Sequence, residues 1–373
     1  MRLSFGRLYL FKIFGIPIQL DYTWFIVFIL FSWWLATGIY PDLFPEWTST
    51  AHWIAGSFSS LLLFVSVLLH ELAHSWVALR SGIPIAGITL FIFGGIARIS
   101  REAPDPRTEL KIAVAGPLMS FLLAILFFVA AQIPLSTLAG IFLVIALLNA
   151  GLGVFNLIPG FPLDGGRVLR AILWRRRGDL RWATKIASTV GKVLAVAVMV
   201  WGFSYLFSPD SFIEGVWRIF IGLFLLQAAE AGYRQAVIRT ALRGTSVGEV
   251  MSPNSITVSP LLALDVLVGD YFLKYRCSAC PVVEDTRLVG MLTLADVRTV
   301  PRSAWSTTQV KDIMTPAQDI APLDPAEDVV DVLHRMARDR VHTLPVIERG
   351  NLLGVLTQTD ILEVLKVKID LGK

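Results

Sequence analysis

Cysteine is almost missing from this chain: only Cys277 and Cys280 occur in 373 residues, which excludes a disulfide framework. Charge is scarce as well, with Asp, Glu, Lys and Arg making up 17% of the residues against 55% that are hydrophobic. The scarcity is uneven. Charged residues are sparse among long apolar blocks up to about residue 233 and frequent beyond it, so the chain divides into a membrane part and a soluble part. The opening MRLSFGRLYLFKIFGIPIQL lacks a long apolar core ending at small residues, and no cleavable signal is expected. The net charge of +4 comes with no basic patch interleaved with aromatics, so nucleic acid is not an expected partner.

A bilayer-spanning helix needs about 20 mostly apolar residues. Six stretches meet that length: 22–40, 53–79, 112–131, 138–158, 186–207 and 213–233. Lys and Arg collect on the cytoplasmic side of membrane proteins. Here Arg80, Arg98, Arg101, Arg107 and Lys111 follow the second stretch, and Arg167, Arg170, Arg175, Arg176, Arg177, Arg181 and Lys185 follow the fourth. The alternate connections PDLFPEWTST, QIPLST and SPDSFIEG have none. The expectation is a multi-pass cell-membrane protein with both termini cytoplasmic, its basic loops meeting anionic lipid headgroups.

Two histidines and a glutamate interrupt the second apolar stretch in LLHELAHSW, residues 68–76. Ionisable groups at membrane depth are costly, on the order of ~3 kcal/mol each on insertion scales, and are functional by default. Positions i and i+4 share a helix face, so His70 and His74 can point at one ion, which is why H-E-x-x-H suits zinc. Glu71 lies beside them, where a base for an attacking water belongs. A catalytic zinc wants a third protein ligand. The fourth stretch ends in NLIPGFPLDGGRVLRAILW, where Pro159 and Pro162 stop the helix and Asp164 is presented before two glycines. Asp164 is the expected third ligand, and its residue type also suits a helix N-cap. Asn156, on the last turn before the break, is placed to donate to an oxyanion or to substrate backbone, or to hold the broken helix end. FIFGGIARIS, with Gly94 and Gly95, reads as an extended segment whose edge can pair with an unwound substrate or merely close a hairpin. AVAGPLMS, around Gly116 and Pro117, reads as a site of close helix packing.

HELAH within one apolar segment, together with N-x-x-P-x-x-P-x-D-G-G at the end of a later one, resembles the site-2 protease family of intramembrane zinc metalloproteases. The resemblance implies that His70, His74 and Asp164 bind one Zn2+ per chain, that Glu71 is the base and that Asn156 is a substrate or oxyanion contact. It further implies regulated intramembrane proteolysis, the hydrolysis of a peptide bond in a client protein's transmembrane helix.

Residues 245–373 contain one unit twice, with a period of about 64 residues. CPVVEDTRLVGMLTLADV answers to LPVIERGNLLGVLTQTDI, and each unit reads strand, helix, strand, strand, helix. This resembles a tandem pair of CBS domains, which implies an adenosine nucleotide such as ATP in the cleft and homo-oligomers formed through the pair. By the repeated G-x-x-T-x-x-D, Thr293 and Thr357 would contact phosphate or ribose, and Asp296 and Asp360 the ribose hydroxyls. The same residues suit a helix cap with no nucleotide present. Cys277 and Cys280 read as packing residues, and His334 and His342 as surface or packing residues.

The expected fold is therefore an α-helical polytopic membrane domain of six transmembrane segments (1–238), with a short strand-like element after the second, followed by a soluble α/β tandem CBS pair (245–305 and 308–373). The competing expectations are a membrane transporter or channel gated by the CBS pair, and an inactive relative that only binds client helices.

Overall fold

The structure, a computed structural model, describes residues 7–92, 94–99, 103–133, 136–207, 211–242, 244–253, 255–275, 277–285, 287–339 and 341–371. It divides into two compact units, Met1–Arg234 and Gln235–Lys373. Phe93, Ser100 and Arg101, which the sequence places in an extended and cationic stretch, lie outside the described residues.

Six helices among the described residues are long and apolar enough to cross a bilayer: α1 (Thr23–Leu43), α2 (Ser49–Arg80), α3 (Pro106–Ala130), α4 (Ser136–Asn156), α6 (Leu180–Tyr205) and α7 (Phe212–Leu242). Between α4 and α6 lies the shorter α5 (Asp164–Arg177). Local chemistry sets the ends. Thr48 accepts from Ala51 N to start α2, and Gly82, with φ of 76°, takes the left-handed conformation just after α2 stops. Asp105 accepts from the N–H groups of Arg107 and Thr108 to start α3, with Pro106 at the first helical position, where its missing N–H costs nothing. Many large apolar side chains on these helices are exposed, among them Ile29, Ile54, Leu118, Ile125, Val154 and Val200, as lipid-facing surfaces require.

The strand-like element is larger than the sequence suggests. β1 (Arg7–Ile13) and β2 (Ile16–Asp21) form an N-terminal hairpin, and β3 (Ile85–Phe91) and β4 (Gly94–Ile99) form a second one after α2. Parallel pairing of β2 with β3 joins them into a four-stranded sheet ordered β1-β2-β3-β4. Phe14 and Gly15 make the first turn with φ of 51° and 78°, the positive pair that a two-residue hairpin demands. Alternate residues Ile16, Ile18 and Leu20 are buried, and Ile16, Ile18 and Ile88 pack against Leu72 of α2. β4 is thus an edge strand lying against the helix that carries HELAH.

In the second unit β5 (Ala279–Glu284) pairs with β6 (Arg287–Thr293), and β8 (Thr343–Glu348) with β9 (Asn351–Thr357), in matching registers that reflect the repeat. The two copies exchange their opening segments. Ser252 bridges to Val355 on β9, while β7 (Thr315–Pro316) pairs with Gly290 and Met291 on β6. Val247 and Val250 accordingly bury with Val346 and Leu356 of the second copy, and Val310 buries with Val282 and Leu292 of the first. Cys280 is fully buried in that first core, its Sγ 3.2 Å from Cys277 Sγ.

Candidate metal centre

His70 and His74 are one helical turn apart on α2, and each is 4% exposed. Asp164 opens α5, but the N-cap position belongs to Leu163, so its carboxylate is not spent on capping. It turns instead to the histidines. Asp164 Oδ2 lies 3.1 Å from His70 Nε2 and 3.0 Å from His74 Nε2, and the two Nε2 atoms are 3.2 Å apart. The loop that brings Asp164 here is pinned by Phe161 N–H donating to Ala187 O on α6. It can fold so tightly because Gly165 and Gly166 sit against the backbone of Leu157–Phe161, where any side chain would collide.

The donor set suits a zinc ion. Three ligands at about 2.0–2.1 Å in tetrahedral directions stand roughly 3.3 Å apart, and the observed triangle is only slightly tighter. Tautomers agree as well. His74 Nδ1 lies 2.6 Å from Ile112 O, which can only accept, so Nδ1 carries the hydrogen and Nε2 presents its lone pair to the centre. His70 Nδ1 lies 2.8 Å from Ser120 Oγ, a hydroxyl that can accept the corresponding hydrogen. Two imidazole lone pairs and a carboxylate oxygen thus converge in a buried place, an arrangement that favours a cation.

Gly116 of α3 completes the cradle. A Cβ there would stand 2.5 Å from His70 Nε2 and closer still to His74 Nε2, so only glycine lets α3 pass beneath both rings. Gly95 of β4 plays the same part for Glu71: an added Cβ would collide with the Glu71 stem, 3.1 Å from its carboxyl carbon and 3.3 Å from Oε1. Gly95 on the edge strand β4 therefore lies directly against the Glu71 side chain.

Other residues singled out by sequence fall differently. Asn156 ends α4 and donates Nδ2 to Leu152 O at 3.0 Å, one turn back in its own helix. In the second unit, Thr293 and Asp296 form a reciprocal capping box, with Thr293 Oγ1 donating to Asp296 Oδ2 at 2.7 Å and Thr293 N–H at 2.8 Å. Thr357 and Asp360 repeat it at 2.7 and 2.8 Å, and Ser252 Oγ donates to Asp360 Oδ1 at 3.0 Å. Arg167 and Arg170 are not headgroup-facing. Both are directed at Glu109, which is 2% exposed. Glu109, the Ile112 carbonyl and Ser120 belong to the site without any motif in the sequence that singles them out. Their regular spacing on one helix face was visible there, but nothing local said what that face would meet.

Comparison with known proteins gives the family of the chain. The model of peptidase family M50 matches residues 58–138 and 131–198, and that of the CBS domain matches 247–302 and 310–367. A zinc metalloprotease of Methanocaldococcus jannaschii is 34% identical over 361 residues, covering 96% of each chain. The zinc metalloprotease candidate Rip3 of Mycobacterium tuberculosis is 33% identical over 367 residues, covering 95% of this chain and 92% of that protein. The solved site-2 protease from Methanocaldococcus jannaschii is 37% identical, covering 61% of this chain and 95% of that one, with a TM-score of 0.42. A chain aligned over 95% or more of its length with two zinc metalloproteases, with six membrane-length helices among its described residues and a two-histidine, one-aspartate cluster, belongs to peptidase family M50, the site-2 protease zinc metalloproteases, in a form with a C-terminal CBS pair.

Proposed function

We propose that this chain is an intramembrane endopeptidase that hydrolyses a peptide bond in a client protein's transmembrane segment, with His70, His74 and Asp164 holding one zinc ion and Glu71 serving as base. The observation that carries the reading is the convergence of three metal-competent atoms from α2 and α5 beside Glu71, under an edge strand. Zinc, when bound, supplies Lewis acidity and brings the pKa of a water ligand to about 7. Glu71 takes the proton from the attacking water and returns it to the leaving amine. His74 lies six residues from Arg80 at the polar end of α2, about 9 Å along the helix.

A helical peptide bond is shielded by its own hydrogen bonds, so the client must unwind first. The β4 edge at Gly94 and Gly95 offers main-chain partners for the unwound segment and delivers it over Glu71. Clients with Gly, Pro, Asn or Ser near the cut fit this requirement. Asn156, released from Leu152 O, is the donor nearest in sequence to the loop bearing Asp164 and serves as the substrate or oxyanion contact.

The membrane domain spans 1–238 and the CBS copies 245–305 and 308–373. Both termini and the CBS pair lie in the cytoplasm, a reading supported by the Lys and Arg residues in the connections after α2 and α4. The pair associates with a second copy of the chain and senses an adenosine nucleotide. Thr293, Asp296, Thr357 and Asp360, at two equivalent helix starts, contact its phosphate and ribose. A nucleotide changes activity only through unequal affinity for two states of the protein.

The test is cleavage of a reconstituted single-span client by wild type and Glu71→Gln. The variant should keep its zinc and lose at least ~10²-fold in turnover. Wild-type turnover in Glu71→Gln would remove this residue from the chemistry.

A further inference from the structure

Helix α3 supplies no ligand, yet one stripe of it governs the metal centre. Glu109, Ile112, Gly116 and Ser120 follow the i, i+3, i+7, i+11 spacing of a single helix face. All four are buried. Three of them act on the histidines: the Ile112 carbonyl fixes His74, Ser120 meets His70, and Gly116 leaves room for both rings. Glu109 acts on the other half of the site. Its Oε1 accepts from Arg167 Nε at 3.1 Å and from Arg170 Nη2 at 2.6 Å. Both arginines are on α5, three and six residues after Asp164. The Arg170 guanidinium also lies 5.2 Å over the ring of Phe161, in the loop that feeds Asp164 into the site.

A carboxylate buried between two guanidiniums is a poor way to gain stability, because apolar residues of the same volume do as well or better. Its distinctive property is direction: two hydrogen bonds to one oxygen fix the rotation of a helix as apolar contacts do not. We propose that Glu109 is a positioning residue for the metal centre, fixing α5 through Arg167 and Arg170 so that Asp164 Oδ2 meets His70 and His74. The stripe then works as one template, its outer end aligning the carboxylate helix and its remaining positions aligning the histidines. This inference rests on the reading of His70, His74 and Asp164 as the zinc ligands.

The experiment uses full-length protein in detergent, with Zn2+ affinity measured by chelator competition and ligand geometry by the visible absorption of the Co2+-loaded form. Wild type, Asp164→Ala, Glu109→Gln and the volume-keeping triple variant Glu109→Met, Arg167→Met, Arg170→Met are compared, with helix content followed by circular dichroism. Glu109→Gln should remain helical, lose ~10–100-fold in Zn2+ affinity and shift the Co2+ spectrum toward that of Asp164→Ala. The triple variant, which removes all three charged side chains of the cluster together, should show the same losses, and it carries the test alone if Glu109→Gln fails to fold. A Co2+ spectrum and Zn2+ affinity like wild type in either folded variant would overturn the proposal, leaving the cluster a mere stabiliser. Normal affinity restored in the triple variant would equally overturn it, showing that charge balance rather than placement matters. Wild type that takes up no zinc sinks the metal-centre reading and this inference together. Zinc-replete wild type, deficient Asp164→Ala and normal Glu109→Gln sink only the inference.

Discussion

Gly116→Ala is the sharpest single-atom perturbation that the geometry offers. In most helices this change stabilises, by up to about 1 kcal/mol, because alanine loses less backbone entropy. Here the new methyl would stand 2.5 Å from His70 Nε2, about 0.9 Å short of the 3.4 Å at which ordinary contact begins, with His74 Nε2 nearer still. Either α3 withdraws or the rings turn, and both movements exceed the roughly 0.2 Å tolerance of metal–ligand distances. A misplacement of about 1 Å at a reacting centre costs on the order of 10²-fold in rate, equivalent to about 2.7 kcal/mol. The expected outcome is a folded, helical protein whose zinc affinity and client cleavage each fall by ~10²-fold or more. Gly151→Ala on α4 is the control, since a Cβ there meets nothing within 4 Å. Zinc titration and client cleavage on both variants decide the matter. Wild-type zinc occupancy and turnover in Gly116→Ala would refute the close approach of α3 to the rings.

Gly95→Ala should separate the base from the metal: its methyl collides with the Glu71 stem, so turnover drops by ~10-fold or more while zinc per chain stays at the wild-type value, and loss of zinc instead would show that β4 supports the ligands. Cys280 offers a pH readout in the second unit. Burial pushes its thiol above the ordinary value of 9.0, so the fold favours the neutral form; that stabilisation is complete below pH 9.0 and is lost as pH rises beyond it. Native protein at about pH 8 should therefore leave Cys280 unalkylated by iodoacetamide until it is unfolded, and peptide mass spectrometry showing rapid native labelling would contradict the buried position.

The parts of this molecule that could be read from sequence are those whose physics is local. Apolar runs of bilayer length announce α1 to α4, α6 and α7 because no charge interrupts them long enough to mislead. His70 and His74 are legible through the period of the helix, and Asp164 through the proline and glycine residues that break the chain around it. What stayed hidden depends on partners far away in sequence. The N-terminal hairpin is marked in sequence only by Phe14-Gly15 followed by the alternating Ile16, Ile18 and Leu20, a turn signal much weaker than the long apolar runs around it. Arg167 and Arg170 resembled topology determinants, since only tertiary packing brings Glu109 to them. The role of Ile112 is a backbone carbonyl and has no sequence signature at all. The exchanged opening segments of the CBS copies are equally invisible, because similar repeats give no clue to which strand each segment joins. Thr293, Asp296, Thr357 and Asp360 cap their helices with the same atoms that a nucleotide contact would use, so spacing alone does not separate the two readings.

The central claim is that residues 94 positions apart in the chain, His70 and Asp164, hold the same metal ion. Zinc per chain in detergent-purified protein, wild type beside Asp164→Ala, tests it most directly. Near-stoichiometric zinc in the wild type and clear loss in the variant is the expected result. Zinc that binds wild type and is indifferent to Asp164, or wild type that binds none, would contradict it.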